Sequence, residues 1–517
     1  MAQDFFHLLL DYFQISEEEY HHLNEPTSLD SFSDGYSFKN IEEAVKIAKS
    51  SISNKEKILV YGDYDADGIM GTSILVKIFK HLNYDVSYYI PSRYLDGYGL
   101  TVEKAKKAIG KFDLVITVDN GIVANEAIQI LKDNNIKVIV IDHHTVQLPL
   151  PNADAIVHPE VSEYGDVTTS GAYCAFMFSI AMLGYADKYL ATLAAISLIS
   201  DMMPLKKYNR KLLQAVFKDY KDNEFLQISL LAEHKDLDEN VIGLSIAPKI
   251  NAIGRMIEDS TVNYIVKYFV TDDIDYILTY FNYMESINEQ RKIISKEASN
   301  NILKDLKDDA MVSLVDIKEG LIGLIANSIM NKINKPAIVF SKDNSGLLKG
   351  SARSIEGFNI VEAFKNLEKY MNQFGGHALA GGCSIKEENY ENFKKDFISL
   401  VNSSDLKPLE KPHIDISLSD INYDNYLLLK TFSPFGENWK APLFKINHIK
   451  VSSLTFSKTK EHILTKIGNN SKLVGFYISE DSLKDTDFIN ISGKLNISVF
   501  KNIITTEFHI EKVDKIN

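Results

Sequence analysis

Cysteine is nearly absent, with only Cys174 and Cys383 in 517 residues, far apart and in no zinc-type spacing. That excludes a disulfide framework and points to a reducing compartment, so a cytoplasmic location is expected. Long hydrophobic runs are missing too: no stretch reaches about 18 uninterrupted apolar residues, so no membrane span is expected. The opening MAQDFFHLLLDYF has an early acid and no basic start, and no secretory signal is expected there. The chain has no GxxxxGK[ST] loop and no GxGxxG after a strand, which disfavours ATPases and dinucleotide enzymes. Excess positive charge is also lacking. The net charge of −14 argues against an indiscriminate polyanion binder. The acidity is uneven, however, because residues 405–517 carry 15 Lys against 14 Asp and Glu. Arginine is scarcest, at five of 56 basic residues: Arg93, Arg210, Arg255, Arg291 and Arg353. Where lysine serves ordinary solvated positions, an arginine marks a place for a rigid bidentate fork, on phosphate for instance, or in a structural salt bridge.

What is present predicts an α/β protein of about three domains. Residues 1–50 read as an acidic helical layer. Over 51–205, the short apolar runs KILVYGD, DVSYYIP, FDLVITVDNG and KVIVIDHH alternate with helical segments, the pattern of a parallel sheet. Residues 206–308 read as a helical insert, closing with a connecting helix from about Asp275 to Leu306. A second, smaller α/β unit follows over 309–404, with Gly-rich GLLKGSARS and FGGHALAGGCSI. After Lys407 and Pro408, residues 405–517 turn to short strands, as in a small barrel.

In an open parallel sheet the functional crevice lies beyond the carboxyl ends of the strands. Three runs end in polar residues there: Gly62–Gly68 (GDYDADG), Asp119-Asn120-Gly121, and Asp142-His143-His144. Any one of these reads most simply as a helix cap or a turn. Three together, with the solitary Asp201 on the apolar segment LATLAAISLISDMMPL, predict converging carboxylates that need divalent cations. Oxygen ligands with imidazole fit Mn²⁺ or Mg²⁺ and make structural zinc improbable. A paired-ion site suits hydrolysis of a phosphoryl ester.

In order and spacing, the chain resembles the DHH phosphoesterases and, within them, the RecJ single-strand exonucleases. The resemblance rests on GDYDADG (62–68), PSRYLDGYGL (91–100), VDNG (118–121), DHH (142–144), SGAYCAF (170–176), SDMMPL (200–205), IAPKINAIGRM (246–256), NEQRK (288–292), KGSARS (349–354), FGGHALAGG (374–382) and PFGENW (434–439). It implies a DHH domain, a DHH-associated domain beyond the connecting helix, and an oligonucleotide-binding (OB-like) barrel. It also implies that Asp65, Asp67, Asp119, His143 and Asp201 hold two Mn²⁺ or Mg²⁺ ions, with Asp119 bridging. His144 would contact the scissile phosphate and Asp142 would orient the neighbouring histidine. Arg93, Ser351 and Arg353 resemble a 5′-phosphate pocket, and Gly375, Gly376 and His377 a substrate-binding signature. In the barrel, Phe456, Tyr477 and Phe500 are stacking candidates, each also readable as core.

The implied activity is 5′-to-3′ removal of mononucleotides from single-stranded DNA, in repair and recombination. The expected partners are single-stranded DNA and a single-strand-binding protein or helicase, with the chain itself a monomer. A phosphodiesterase for short oligoribonucleotides or cyclic dinucleotides, and a non-catalytic DNA-binding accessory protein, are the competing readings. Three departures stand out: DIKEGLIGLIANS (316–328) lacks the family's Trp-His and closing Arg, the early RG dipeptide is absent, and LNISVF lacks a tryptophan; the role of Asp63 stays open, because small-substrate relatives carry a histidine ligand near this place.

Overall fold

A computed structural model of the protein describes residues 5–32, 38–165, 168–304, 311–343, 346–404, 406, 412–468, 470–501 and 503–516. They fall into two compact units. One comprises 28–203 and 211–409, the other 1–27, 204–210 and 410–517.

In the larger unit, β1 (Ile58–Tyr61), β2 (Ser87–Tyr89), β3 (Leu114–Val118), β4 (Lys137–Ile141) and β5 (Ala155–Val157) form a parallel sheet in the order β2-β1-β3-β4-β5. Every residue of β1 and β3 is buried, which is why these strands read as unbroken apolar runs rather than alternating ones. The chain reverses its direction of sheet growth between β1 and β3, where such folds open a crevice. Helices α1 (Ala66–His81), α2 (Gly171–Leu183) and α3 (Lys188–Ser200) pack together, and almost all their side chains are buried. Helix α4 (Ala247–Met256) lies against the long helix α5 (Ile274–Lys304). That helix is the expected connector; its anticipated end at Leu306 and the Lys407–Pro408 linker lie outside the described residues. The second sheet runs β6-β7-β8-β10-β9, built from β6 (Val312–Val315), β7 (Ala337–Lys342), β8 (Leu348–Arg353), β9 (Met371–His377) and β10 (Ala380–Ile385). Helix α6 (Glu319–Ile333) covers β7 and β8 and also meets α4 and α5.

The other unit carries a six-stranded sheet, β11-β12-β15-β16-β14-β13, from β11 (His413–Asp415), β12 (Leu443–Lys450), β13 (Ile463–Ile467), β14 (Ser471–Gly475), β15 (Phe488–Phe500) and β16 (Ile503–Ile516). The single helical layer expected over 1–50 is divided. Phe5, Leu9 and Leu10 of the helix Phe5–Phe13 share one core with Phe444 and Phe508. The helix Ile41–Ser53 packs instead on β5 and α2. The physical reason is that an apolar helix face needs a cover, and its periodicity does not say which sheet supplies it. Residues 204–210, assigned above to the end of the first domain and the start of the insert, also belong with the C-terminal strands.

Candidate metal centre and anion cleft

The crevice residues sit at the carboxyl ends of β1, β3 and β4, as the parallel sheet requires. Asp65 is the N-cap of α1, accepting from the Asp67 and Gly68 amides at 3.0 and 3.1 Å. Asp67 turns inward to the N-terminus of α2, where the Gly171 and Ala172 amides donate to its two oxygens at 2.7 and 2.8 Å. Ser197 of α3 adds a third donor at 2.5 Å. Asp119 is held in the left-handed region at φ +61°, an unfavourable conformation for a residue other than glycine. The backbone of α2 approaches it closely: a Cβ on Gly171 would lie 2.9 Å from the Asp119 Cα, so only glycine fits opposite. Asp201 caps the C-terminus of α3. The cap reading of the Gly62–Gly68 run therefore holds for Asp65, Asp201 ends its own helix, and the same geometry brings both carboxylates into the crevice.

His143 Nε2 lies 3.2 Å from Asp119 Oδ1, and 3.5 Å from both Asp67 Oδ2 and Asp201 Oδ2. The donor atoms form three overlapping clusters: Asp119, His143 and His144; Asp67, His143 and Asp201; Asp63, Asp65 and Asp119. Asp63, unassigned from sequence, thus joins the group. Buried oxygens on Asp63, Asp119 and Asp201 have no hydrogen-bond donor among the described residues. Burial, reinforced by the neighbouring Asp67 and Asp65 charges, pushes the Asp201 carboxyl up to about 8. Asp119 and Asp63 are raised well above the carboxylate range by burial and then by adjacent aspartates. Burial drives His143 the other way, towards neutral imidazole. Orphaned carboxylate oxygens around a neutral imidazole form the donor set of a hard or borderline divalent cation, so the residues fit Mn²⁺ or Mg²⁺.

Asp142 is fully enclosed. Its Oδ2 accepts from the Ile122 amide at 2.9 Å, and its Oδ1 meets His144 Nδ1 at 2.8 Å. Burial alone would raise the Asp142 carboxyl, but its bond to His144 and the imidazole charges hold it at about 2. For His144, burial opposes the charged form, yet Asp142 outweighs it and lifts the ring to about 9. The other ring nitrogen, Nε2, faces the Tyr98 hydroxyl at 2.9 Å.

A positive cleft accompanies this negative centre. The Arg93 guanidinium stacks 4.1 Å over the Tyr64 ring, and its Nε is buried without a hydrogen-bond partner among the described residues. Arg255 is pushed down to about 10, by burial first and then by the charge of Arg93, which outranks the opposing pull of Asp65; Arg291 and Arg353 add to the depression. Four of the five arginines therefore share one field, and none forms an ion pair among the described residues. Arg353 Nη1 donates to Ser351 Oγ at 3.1 Å on β8. Strand register places Arg353, Ala380 and His377 in one row across β8, β10 and β9, and Ser351, Gly382 and Gly375 in another. Gly376 pairs with Gly381 between them. Helix α6 completes the wall despite its missing Trp-His. A Cβ on Gly323 would stand 2.9 Å from Arg353 Nη2, and Arg255 Nη1 donates to the Gly320 carbonyl at 3.0 Å.

Sequence reasoning did not assign Arg255 or Tyr98 to the site. The signal was present in IGRM and LDGYGL, both polar insertions in motifs otherwise apolar or glycine-rich. Arg210 is the exception to the phosphate reading. It is buried and spends its fork on the carbonyls of Phe432, Ser433 and Pro434 at 2.8 to 3.0 Å, with Trp439 beneath it. Among the stacking candidates, Phe456 packs against the core, while Tyr477 and Phe500 are 90% and 72% exposed.

Three family matches follow the same order along the chain: the DHH family N-terminal domain over 57–200, the DHHA1 domain over 307–403, and the RecJ OB domain over 413–512. Over 57–200 the chain is thus similar to the DHH family. Its DHH, DHHA1 and RecJ OB regions correspond to the parallel sheet, the second sheet and the C-terminal sheet. Among curated relatives it is 30% identical, over 499 residues, to the single-stranded-DNA-specific exonuclease RecJ of Bacillus subtilis (strain 168). That alignment covers 91% of this chain and 63% of the relative, so the chain spans under two thirds of that protein's length. The fold superposes on a crystal structure of RecJ in complex with Mn²⁺ from Thermus thermophilus, with a TM-score of 0.82 at 23% identity, covering 99% of this chain and 78% of that one. A manganese-bound structure of exonuclease RecJ gives a TM-score of 0.61 at 28% identity, over 71% of this chain and 95% of the other.

Proposed function

We propose that this protein is a metal-dependent exonuclease that hydrolyses phosphodiester bonds of single-stranded DNA from the 5′ end and releases 5′-mononucleotides, serving repair and recombination. The observation that carries the reading is the juxtaposition of a buried aspartate–imidazole cluster with four arginines that form no ion pair among the described residues. A phosphate ester satisfies both at once. The RecJ relatives are named single-stranded-DNA-specific exonucleases, which supports the substrate and reaction class of this reading.

Asp65, Asp67, Asp119, His143 and Asp201 would hold two Mn²⁺ or Mg²⁺ ions, and Asp63 belongs to the same cluster of donor atoms. Once bound, such a pair supplies hydroxide at neutral pH and neutralises charge at phosphorus. Asp142 fixes the His144 ring through Nδ1, leaving Nε2 to donate to a phosphoryl oxygen or to the departing oxygen. Arg353, Ser351 and Arg93 would grip the terminal 5′ phosphate, while Gly375, Gly376 and His377 line the strand's path. The OB domain would extend contact along the strand, with Tyr477 and Phe500 offering stacking faces. The chain is read as a cytoplasmic monomer that meets a single-strand-binding protein or a helicase on DNA. No helix among the described residues is long and apolar enough to cross a membrane.

The test is a digestion series with 5′- and 3′-labelled DNA and RNA 40-mers and a dinucleotide, in Mn²⁺. Stepwise release of mononucleotides from the 5′ end of DNA is the expected result. Cleavage of the dinucleotide alone would move the assignment to a short-oligonucleotide phosphodiesterase, and retardation without shortening under any divalent metal to an accessory protein.

A further inference from the structure

On the face of the parallel sheet, near edge strand β2, lies a cavity of about 290 Å³ that the chemistry above does not use. Its floor is apolar: Leu59, Val115 and Leu131 are buried there, with the Tyr61 and Tyr89 rings beside them. Its rim is basic, because Lys104, Lys107 and Lys111 from the segment around helix Val102–Ala108 all line it. That helix has only seven residues, so it leaves the β2 end of the sheet face uncovered. Lys107 has only a solvated partner in Glu103, one helical turn away, and Lys111 has no acidic partner among the described residues. A volume near roughly 300 Å³ with an apolar floor and a few convergent polar groups has the character of a small-ligand site.

We propose that this cavity is a second binding site, for a small anion with a flat aromatic body, of the nucleoside monophosphate class. The base would lie on the apolar floor against the tyrosine rings, with the phosphate among the lysine ammonium groups at the mouth. Charge complementarity selects an anion, and the aromatic lining selects a planar body over a bare inorganic ion. The site also adjoins the loop that carries Arg93 and Tyr98. Lys104 Nζ lies 2.5 Å from Asp96 Oδ1 and 2.6 Å from the Tyr89 hydroxyl. Asp96 Oδ2 in turn accepts from Tyr89 at 2.6 Å and from the Ser92 amide at 2.9 Å. This knot fixes the turn from Ser92 to Asp96, with Arg93 inside it and Tyr98 two residues beyond. A phosphate that draws Lys104 off Asp96 loosens the turn and slows turnover. This last consequence rests on the nuclease reading; the binding does not.

Binding is tested on the metal-free full chain with 5-bromo-2′-deoxyuridine 5′-monophosphate, by calorimetry and by anomalous scattering from soaked crystals. The expected result is a bromine peak in the cavity, with affinity reduced roughly tenfold by Lys111→Glu, the loss of one charge-assisted contact. Ala108→Phe, which fills the cavity, should abolish that binding, whereas Arg353→Ala should leave it intact. Lys111→Glu is a surface change, so its result stands even if Ala108→Phe fails to fold. A bromine peak only beside Arg353, affinity insensitive to Lys111→Glu, or equal affinity for inorganic phosphate would each overturn the proposal. If the nucleotide binds here but the chain cuts no DNA, the nuclease reading fails and the site stands. In an active enzyme, the mononucleotide should lower kcat, and Lys111→Glu should need a roughly tenfold higher concentration for the same effect; equal inhibition of both at the same concentration would refute the coupling to the loop.

Discussion

At the residue scale, the site is defined by what its side chains lack. Asp119 is 2% exposed, sits at positive φ, and presents a buried oxygen that no donor among the described residues satisfies. Each feature costs stability, and a bound cation offsets the electrostatic one. Replacing Asp119 with Asn removes the repulsion but also the charge that a cation needs. Asp119→Asn should therefore lose DNA hydrolysis by roughly 10³-fold or more, about 4 kcal/mol of transition-state stabilisation. In chelator its melting temperature should equal or exceed that of the wild type. A variant that melts well below wild type in chelator would show that the carboxylate serves packing instead. Legibility at this scale was good for the acids and uneven for the arginines. Scarcity singled out all five, yet it could not tell Arg210, buried on backbone carbonyls, from Arg255, buried among other guanidiniums. Composition carries no information on which acceptors a fork will meet.

At the element scale, two contacts make testable claims. Helix α6 approaches β8 at Gly323, where any side chain would enter the space of Arg353 and Ser351. Gly323→Val should displace that guanidinium, raising KM for a 5′-phosphorylated oligonucleotide roughly tenfold, one charge-assisted hydrogen bond's worth. The thermal shift produced by Mn²⁺ should stay unchanged, because no metal-cluster residue lies on α6. In the C-terminal sheet, Glu507 on β16 is 2.7 Å from Lys472 of the neighbouring β14 and 2.5 Å from His509. Burial alone would raise this carboxyl, but hydrogen bonds from Lys472, Ser498 and His509, with the lysine charge, hold it at about 2. A depressed carboxyl stabilises the fold above its unfolded value near 4.5 and loses that contribution as pH falls towards 2. Glu507→Gln should thus cost roughly 1–3 kcal/mol at pH 7 and almost nothing below about pH 2. Denaturant titrations of the C-terminal transition at pH 7, 4 and 2 would check the convergence.

At the scale of the whole molecule, metal binding and folding stability are linked. If the buried aspartates accept divalent ions only when folded, Mn²⁺ at a hundredfold excess over its dissociation constant adds about 2.7 kcal/mol per site. Calorimetric scans against Mn²⁺ concentration should show the DHH-containing transition moving up while the transition of the C-terminal sheet stays in place. Movement of both, or of neither, would contradict a cation site confined to the crevice.

The sequence by itself determined the parallel sheet, the connecting helix and the crevice acids. These follow from local rules: period, strand length, and polar residues at strand ends read the same wherever the element finally packs. Only the tertiary structure decided the rest. It attached Phe5–Phe13 to the C-terminal sheet, set His377 in line with Arg353, and gathered Arg93, Arg255, Arg291 and Arg353 into one field. Each of these pairs residues far apart in the chain. Such contacts are fixed by which buried faces cover one another, and a residue's neighbours along the chain do not encode that choice.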